Sequence, residues 1–172
     1  MNEIKARAEQ LRAQMKAHGV DAYIVPTSDF HETEYVCDHF KAREYMSGFT
    51  GSAGTCVFTA DAAKLWTDGR YFIQAAKQLE GSGIELMHMG DEGVPTIEAY
   101  LCDVLPAHAT LGFDGRVMNT AMVERLCAQL SEVTISCDMD LVGAIWHDPP
   151  ALPASKTFEL AQRYTGKSAA QK

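Results

Sequence analysis

Apolar residues recur at helical spacing from the start of the chain. Ile4, Ala8, Leu11 and Met15 share one face of a helix of about four turns, and Gly19 supplies its C-cap. Ala22-Tyr23-Ile24-Val25 then forms a short, continuously apolar strand that Pro26 stops. A polar loop from Thr27 to Cys37 follows, and the pattern predicts a helix over Asp38–Ser47 that ends at Gly48. Thr55–Thr59, the turn Ala60–Ala63 and Lys64–Thr67 read as an antiparallel hairpin.

The second half alternates more regularly. Tyr71, Phe72, Ala75, Ala76 and Leu79 mark a helix, and Ile84–Met89 a strand. Pro95 suits a first helical turn, after which Ile97, Tyr100, Leu101, Val104 and Leu105 make an apolar stripe. Thr110–Phe113 is strand-like, and Asn119 or Thr120 can cap a helix carrying Met122, Val123, Leu126, Cys127 and Leu130. Val133–Cys137 is the last strand and Leu141–Trp146 a closing helix. This alternation predicts an α/β fold, a mixed sheet with helices on both faces. Asp68-Gly69-Arg70 and Asp114-Gly115-Arg116 match each other, but three residues are too few to count as an internal repeat.

Composition narrows the class. The chain has 172 residues, 47% apolar and 22% charged, which is globular rather than disordered or fibrous. Its net charge is −8, which argues against tracking of nucleic-acid phosphates. Charge is uneven. Residues 151–172 hold four bases against one acid, a net +3, which leaves −11 for residues 1–150. The shift falls at Asp148-Pro149-Pro150-Ala151-Leu152-Pro153, so the expected organisation is a domain over 1–147, a Pro-rich linker over 148–155 and the start of a second domain over 156–172. The longest apolar run, Leu141–Trp146, is far short of a membrane span, and Met1–Lys5 does not read as a secretory leader. Five widely spaced cysteines without a C-x-x-C pair fit a reducing, cytoplasmic setting.

Three segments concentrate candidate chemistry. Gly48–Thr55 is glycine-rich, but no Lys follows and it feeds a strand, so it reads as a helix C-cap and strand entry rather than a phosphate cradle. Thr50 also stands where a serine-nucleophile elbow needs its first glycine. His31-Glu32-Thr33-Glu34-Tyr35-Val36-Cys37-Asp38-His39 gathers metal-ligand side chains, yet no spacing there defines a site, so a recognition loop is expected and no metal. Thr67-Asp68-Gly69-Arg70-Tyr71 joins a strand to a helix. It reads first as a local ion pair, with the Arg70 fork able to accept a carboxylate.

In series, these segments carry a family resemblance. Ala22–Asp29, His31–Tyr35, Ser47–Thr55, Leu65–Ala76, Leu86–Gly90 and Ile145–Pro150 resemble the N-terminal, creatinase-like domain of cytosolic-type Xaa-Pro aminopeptidases (aminopeptidase P, M24 metallopeptidases). Tyr164–Ser168 resembles the opening of that family's second domain. The resemblance implies a ribonuclease H-like fold and a parent hydrolase that releases the residue preceding a proline. Two divalent metals, commonly manganese, are held in that family by two Asp, one His and two Glu of a C-terminal "pita-bread" domain, which activates the attacking water. Residues 1–172 hold no counterpart of those ligands, so the chain alone is expected to have no catalytic residue, no cofactor and no peptidase activity. The resemblance further implies a homodimer, peptide substrates with Pro at the second position, and a domain that helps close the substrate site. Glu34 of the H-x-x-E-Y loop is carried over as its supporting residue, flanked by His31 and Tyr35, with Arg70 added on the physical argument above. The alternative is a free-standing creatinase-like domain that binds a peptide or protein without cleaving it.

Overall fold

The computed structural model describes residues 3–172, so Met1 and Asn2 of the opening stretch read for a leader lie outside it. The elements are α1 (Glu3–Ala17), β1 (Ala22–Pro26), α2 (Ala42–Ser47), β2 (Thr55–Thr59), β3 (Ala63–Thr67), α3 (Phe72–Gln78), β4 (Glu85–His88), α4 (Ile97–Val104), β5 (Thr110–Phe113), α5 (Thr120–Gln129), β6 (Thr134–Ser136) and α6 (Gln162–Thr165). The six strands form one mixed sheet in the order β4-β3-β2-β1-β5-β6. The central β1–β2–β3 meander is antiparallel. Both flanks are parallel: β4 on β3, and β5 then β6 beyond β1.

The period of two along each strand divides the core. Tyr23, Val25, Cys56, Phe58, Ala63 and Leu65 face one side, where they pack with Ala8, Leu11 and Met15 of α1, Met46 of α2 and Ala75 of α3. Ala22, Ile24, Val57, Trp66, Leu111 and Phe113 face the other and meet Tyr100, Leu101, Leu126 and Leu130 of α4 and α5. A one-residue slip of any strand would exchange these two sets, so both cores fix the register. The anticipated α/β class with both faces covered is the observed one.

Several elements depart from the expected bounds. The helix read over Asp38–Ser47 is a 3-10 turn at Asp38–Phe40 followed by α2, with the break at Lys41, whose ψ is 37°. The two pieces serve different partners. Phe40 packs edge-on against Phe30, at 4.5 Å between centroids, while Arg43, Met46 and Ser47 turn into the core. Leu141–Trp146 buries Leu141, Val142 and Ile145 as its pattern demands but makes a run of turns instead of a helix. Bonds from Ala144 to Asp140 and from Trp146 to Val142 have helical spacing, yet the Asp140 carboxylate takes the Gly143 N–H at 2.6 Å and Pro149 follows. Pro95 lies just outside α4, whose N-cap is Thr96, and its carbonyl accepts the Trp66 indole N–H at 2.8 Å. Asn119 rather than Thr120 caps α5, accepting from the Met122 N–H.

The glycine-rich segment is held by side chains. Gly48 takes the left-handed conformation that ends α2, at φ 70°. Arg43, only 3% exposed, donates to the Phe49 and Gly51 carbonyls and, through Nε, to the Thr27 hydroxyl at 2.9 Å. Its guanidinium also lies over the Phe49 ring, 4.7 Å from the centroid. Thr27 holds the Gly54 carbonyl through both its N–H and its hydroxyl, and the Thr67 hydroxyl holds that of Ala53 at 2.7 Å. A Cβ at Gly51 would come within 2.2 Å of the Phe49 ring, so only glycine fits there.

Arginine stays charged inside proteins, and burial works against the charged form of Arg43. Among the described residues no carboxylate bonds it; its compensation comes from carbonyl dipoles and one hydroxyl. Replacing it by a similar-sized apolar residue strands two buried carbonyls, at a cost of about 1–3 kcal/mol each. Arg43→Met is therefore expected to lower the unfolding free energy of this chain by about 3 kcal/mol, read as a lower urea midpoint at unchanged slope. Arg43→Lys, which cannot span all three acceptors, is expected to fall between Met and wild type.

Candidate functional site

The segment that follows β1 folds back on itself around one carboxylate. Asp29 Oδ1 accepts the N–H groups of His31 at 2.8 Å and Thr33 at 3.1 Å, and Oδ2 accepts the Thr33 hydroxyl. These bonds, led by the Thr33 hydroxyl, hold the Asp29 carboxyl below the usual carboxylate range. Glu32 sits in the left-handed region at φ 56° and turns the chain, so that Glu34 and Tyr35 emerge over the glycine-rich segment. Tyr35 is 86% exposed.

Glu34 and Tyr35 form one wall of a cleft, and Thr50, Gly51 and Ser52 another, with Arg43 and Thr27 among its lining residues. The second wall is stiffened from α3. Thr50 donates its N–H to Gln78 at 3.0 Å and accepts from the amides of Gln74 and Gln78, each at 2.9 Å. The Ser52 and Tyr71 hydroxyls are 2.7 Å apart. Arg70 lies beside this rim, 5.3 Å from the Tyr71 ring centroid.

Arg70 is gripped by Asp68 through Nε–Oδ1 and Nη2–Oδ2 bonds of 2.8 Å, and Asp68 Oδ1 also takes the Arg70 N–H at 3.0 Å. The pair pushes Arg70 further up, with the Glu34 charge adding to the effect, and holds the Asp68 carboxyl down at about 2. The second Asp-Gly-Arg segment makes the same turn. Arg116 donates its N–H to Asp114 Oδ1 at 3.0 Å, and its guanidinium folds back on both carboxylate oxygens. Each turn stands just past the end of a strand, β3 or β5, that pairs in parallel with the next strand along the chain. The match read as too short to matter thus marks two equivalent junctions, and they differ in one respect. Arg116 is closed off by a second carboxylate, Asp140, at 2.6 Å, whereas among the described residues Arg70 is bonded by the Asp68 carboxylate alone and lies within the field of Glu34.

The structure therefore brings Glu34 and Tyr35 into the cleft over the glycine-rich segment, while Arg70 lies beside its rim and is not one of its lining residues. His31 is exposed on the same loop but does not line the cleft; its N–H is spent on Asp29. Sequence reasoning missed Arg43, which the cleft is built upon. Its signal is an arginine three residues before the core methionine Met46 on a short helix, next to a glycine-rich loop. Among the described residues, no group of three or more His, Cys, Asp or Glu is placed to hold a metal ion. No helix among them is long and apolar enough to cross a membrane.

A sequence model of the Creatinase/Prolidase N-terminal domain matches residues 7–141. Aminopeptidase P2 of Arabidopsis thaliana is 41% identical over 159 residues, covering 90% of this chain and 22% of that protein. The Xaa-Pro aminopeptidase ApepP of Drosophila melanogaster is 37% identical over 173 residues, covering 98% of this chain and 28% of its own length. The chain thus spans about a quarter of the length of these relatives. Among solved structures, the X-prolyl aminopeptidase of Caenorhabditis elegans, described as a cytosolic enzyme with a di-nuclear active site, superposes with a TM-score of 0.89 at 27% identity, over 99% of this chain and 30% of that one. The N-terminal domain of a metallopeptidase from Corynebacterium diphtheriae, also 27% identical, covers 79% of this chain and 96% of its own at a TM-score of 0.60. With its six-stranded sheet, its two packed faces and a match over most of its length, this chain belongs to the Creatinase/Prolidase N-terminal domain family and is homologous to the N-terminal domain of Xaa-Pro aminopeptidases.

Proposed function

We propose that the chain is the non-catalytic N-terminal domain of a proline-specific metallo-aminopeptidase of the cytoplasm, supporting dimerisation and closure of the substrate site. The observation that carries this reading is the cleft. An exposed carboxylate (Glu34) and an exposed phenol (Tyr35) line it over a rigid platform, and a guanidinium with one side open (Arg70) lies beside its rim. Such a group can bind and orient a peptide. A peptidase confined to the first residue needs walls as well as a reactive centre, because holding the substrate in place lowers the barrier that follows.

In this reading the two divalent metals, manganese by family resemblance, belong to another part of the longer polypeptide, where they would activate the attacking water. Arg70 offers its open face to a carboxylate or carbonyl of the peptide or of the neighbouring catalytic part, Glu34 and Tyr35 close the opposite wall, and His31 supports the loop. Residues 148–155 serve as a linker and 156–172 as the beginning of a second domain. In support, residues 147–164 are exposed throughout and add nothing to either core.

The 172-residue chain with added Mn²⁺ is expected to hydrolyse an Xaa-Pro peptide no faster than the metal alone; turnover above that blank would overturn the reading. In a longer polypeptide carrying this domain, Glu34→Ala is expected to lower kcat/KM about tenfold or more, with the urea midpoint of the 172-residue chain unchanged. Activity at the wild-type level would leave a binding domain without a part in catalysis. The ion pair has its own pH signature. Because the Asp68 carboxyl is held down at about 2, its contribution is present above the ordinary aspartate range and fades as pH falls toward 2. Carboxyl NMR should place Asp68 at about 2 in this chain, and Arg70→Gln should return it toward the ordinary value of about 3.9.

A further inference from the structure

We propose that Asn119, at the N-cap of α5, is a positioning residue that sets Glu34 at the cleft by holding Glu32; this rests on the reading of Glu34 given above. The two sides of the Asn119 amide do different things. Oδ1 accepts the Met122 N–H at 2.8 Å and caps α5, while Nδ2 donates to Glu32 Oε1. Among the described residues this is the one hydrogen bond that ties residues 28–36 to another element of the fold; the remaining bonds of the segment run within it, around Asp29.

The tie matters because of what the loop is made of. Glu32 holds a left-handed φ of 56°, which a residue with a side chain adopts only when its surroundings impose it. The Asp29 turn fixes the shape of residues 29–33 but not where that shape sits on the protein. Its orientation is fixed at two points: the Phe30–Phe40 ring contact on one side and the Glu32–Asn119 bond on the other. Asn119 is itself anchored, since it caps a helix whose Leu126 and whose C-cap residue Leu130 are in the second core. The Glu32 carboxylate beside the first turn of α5 is also favoured by the positive end of that helix. Glu34 follows two residues later, so releasing Glu32 frees Glu34 to leave the wall it forms with Tyr35.

The test uses Asn119→Ser, which keeps a good capping oxygen and removes the amide donor. In the 172-residue chain, hydrogen exchange of the amides of residues 30–35 should quicken about fivefold, while exchange in β1 and α5 stays at the wild-type rate. In the longer polypeptide, kcat/KM for an Xaa-Pro peptide should fall about fivefold in the wild-type background and not at all in the Glu34→Ala background. Glu32→Gln, which retains the acceptor but loses the charge, should quicken exchange less than Asn119→Ser does. Wild-type exchange and activity in Asn119→Ser would overturn the proposal, and so would an equal fall in both backgrounds, which would mean that Asn119 acts by some route other than Glu34. If Glu34→Ala alone leaves activity unchanged, the reading of the cleft fails and the positioning role with it, while quickened exchange would still establish the tether.

Discussion

A permanent positive charge buried without a carboxylate constrains the rest of this structure. The Arg43 guanidinium must find its compensation in neutral dipoles, and the fold supplies them by curling the glycine-rich segment until two of its carbonyls and the Thr27 hydroxyl point inward. Hydrogen bonds to a charged group are stronger than those between neutral partners, so the arrangement stiffens both donor and acceptors. The consequence runs outward. Carbonyls at positions 49, 51, 53 and 54 are all held by side chains, the side chains of Thr50 and Ser52 are tied to α3 and Tyr71, and the surface above them becomes a fixed platform. An arginine, not a hydrophobic cluster, thereby sets the floor of the cleft.

The sheet explains why the cleft is where it is. Both Asp-Gly-Arg turns stand past the ends of strands that pair in parallel with the next strand, the ends at which open α/β sheets present their ligand-binding groups. The protein resolves the two turns differently. Asp140 closes the second into a charge-balanced knot, while the first keeps one face of Arg70 open beside Glu34.

Much of this was legible in the sequence, and the parts that were not share a cause. Alternating apolar positions such as Tyr23/Val25 against Ala22/Ile24 gave the strands their two faces, and Gly48 and Asn119 marked helix ends by local chemistry alone. The errors lie where a distant partner overrides the local pattern. Asp38–Ser47 looks like one helix until Phe30 claims Phe40 and the core claims Arg43. Leu141–Trp146 has a helix's apolar spacing, but Asp140 and Pro149 leave it only turns. At the site, family resemblance carried Glu34 over and the guanidinium fork of Arg70 drew notice on physical grounds, whereas nothing in the local pattern marked Arg43. The bond between Glu32 and Asn119 crosses 87 positions of chain and leaves no trace in either neighbourhood.

The central claim is that Glu34 and Arg70 act as one unit on a shared platform. It is tested most directly by a double-mutant cycle on kcat/KM, with Glu34→Ala, Arg70→Ala and both together, in a longer polypeptide that contains this domain. The account predicts that the double variant loses clearly less than the product of the two single losses. Losses that multiply independently would mean that the two side chains share an end of the sheet but no task.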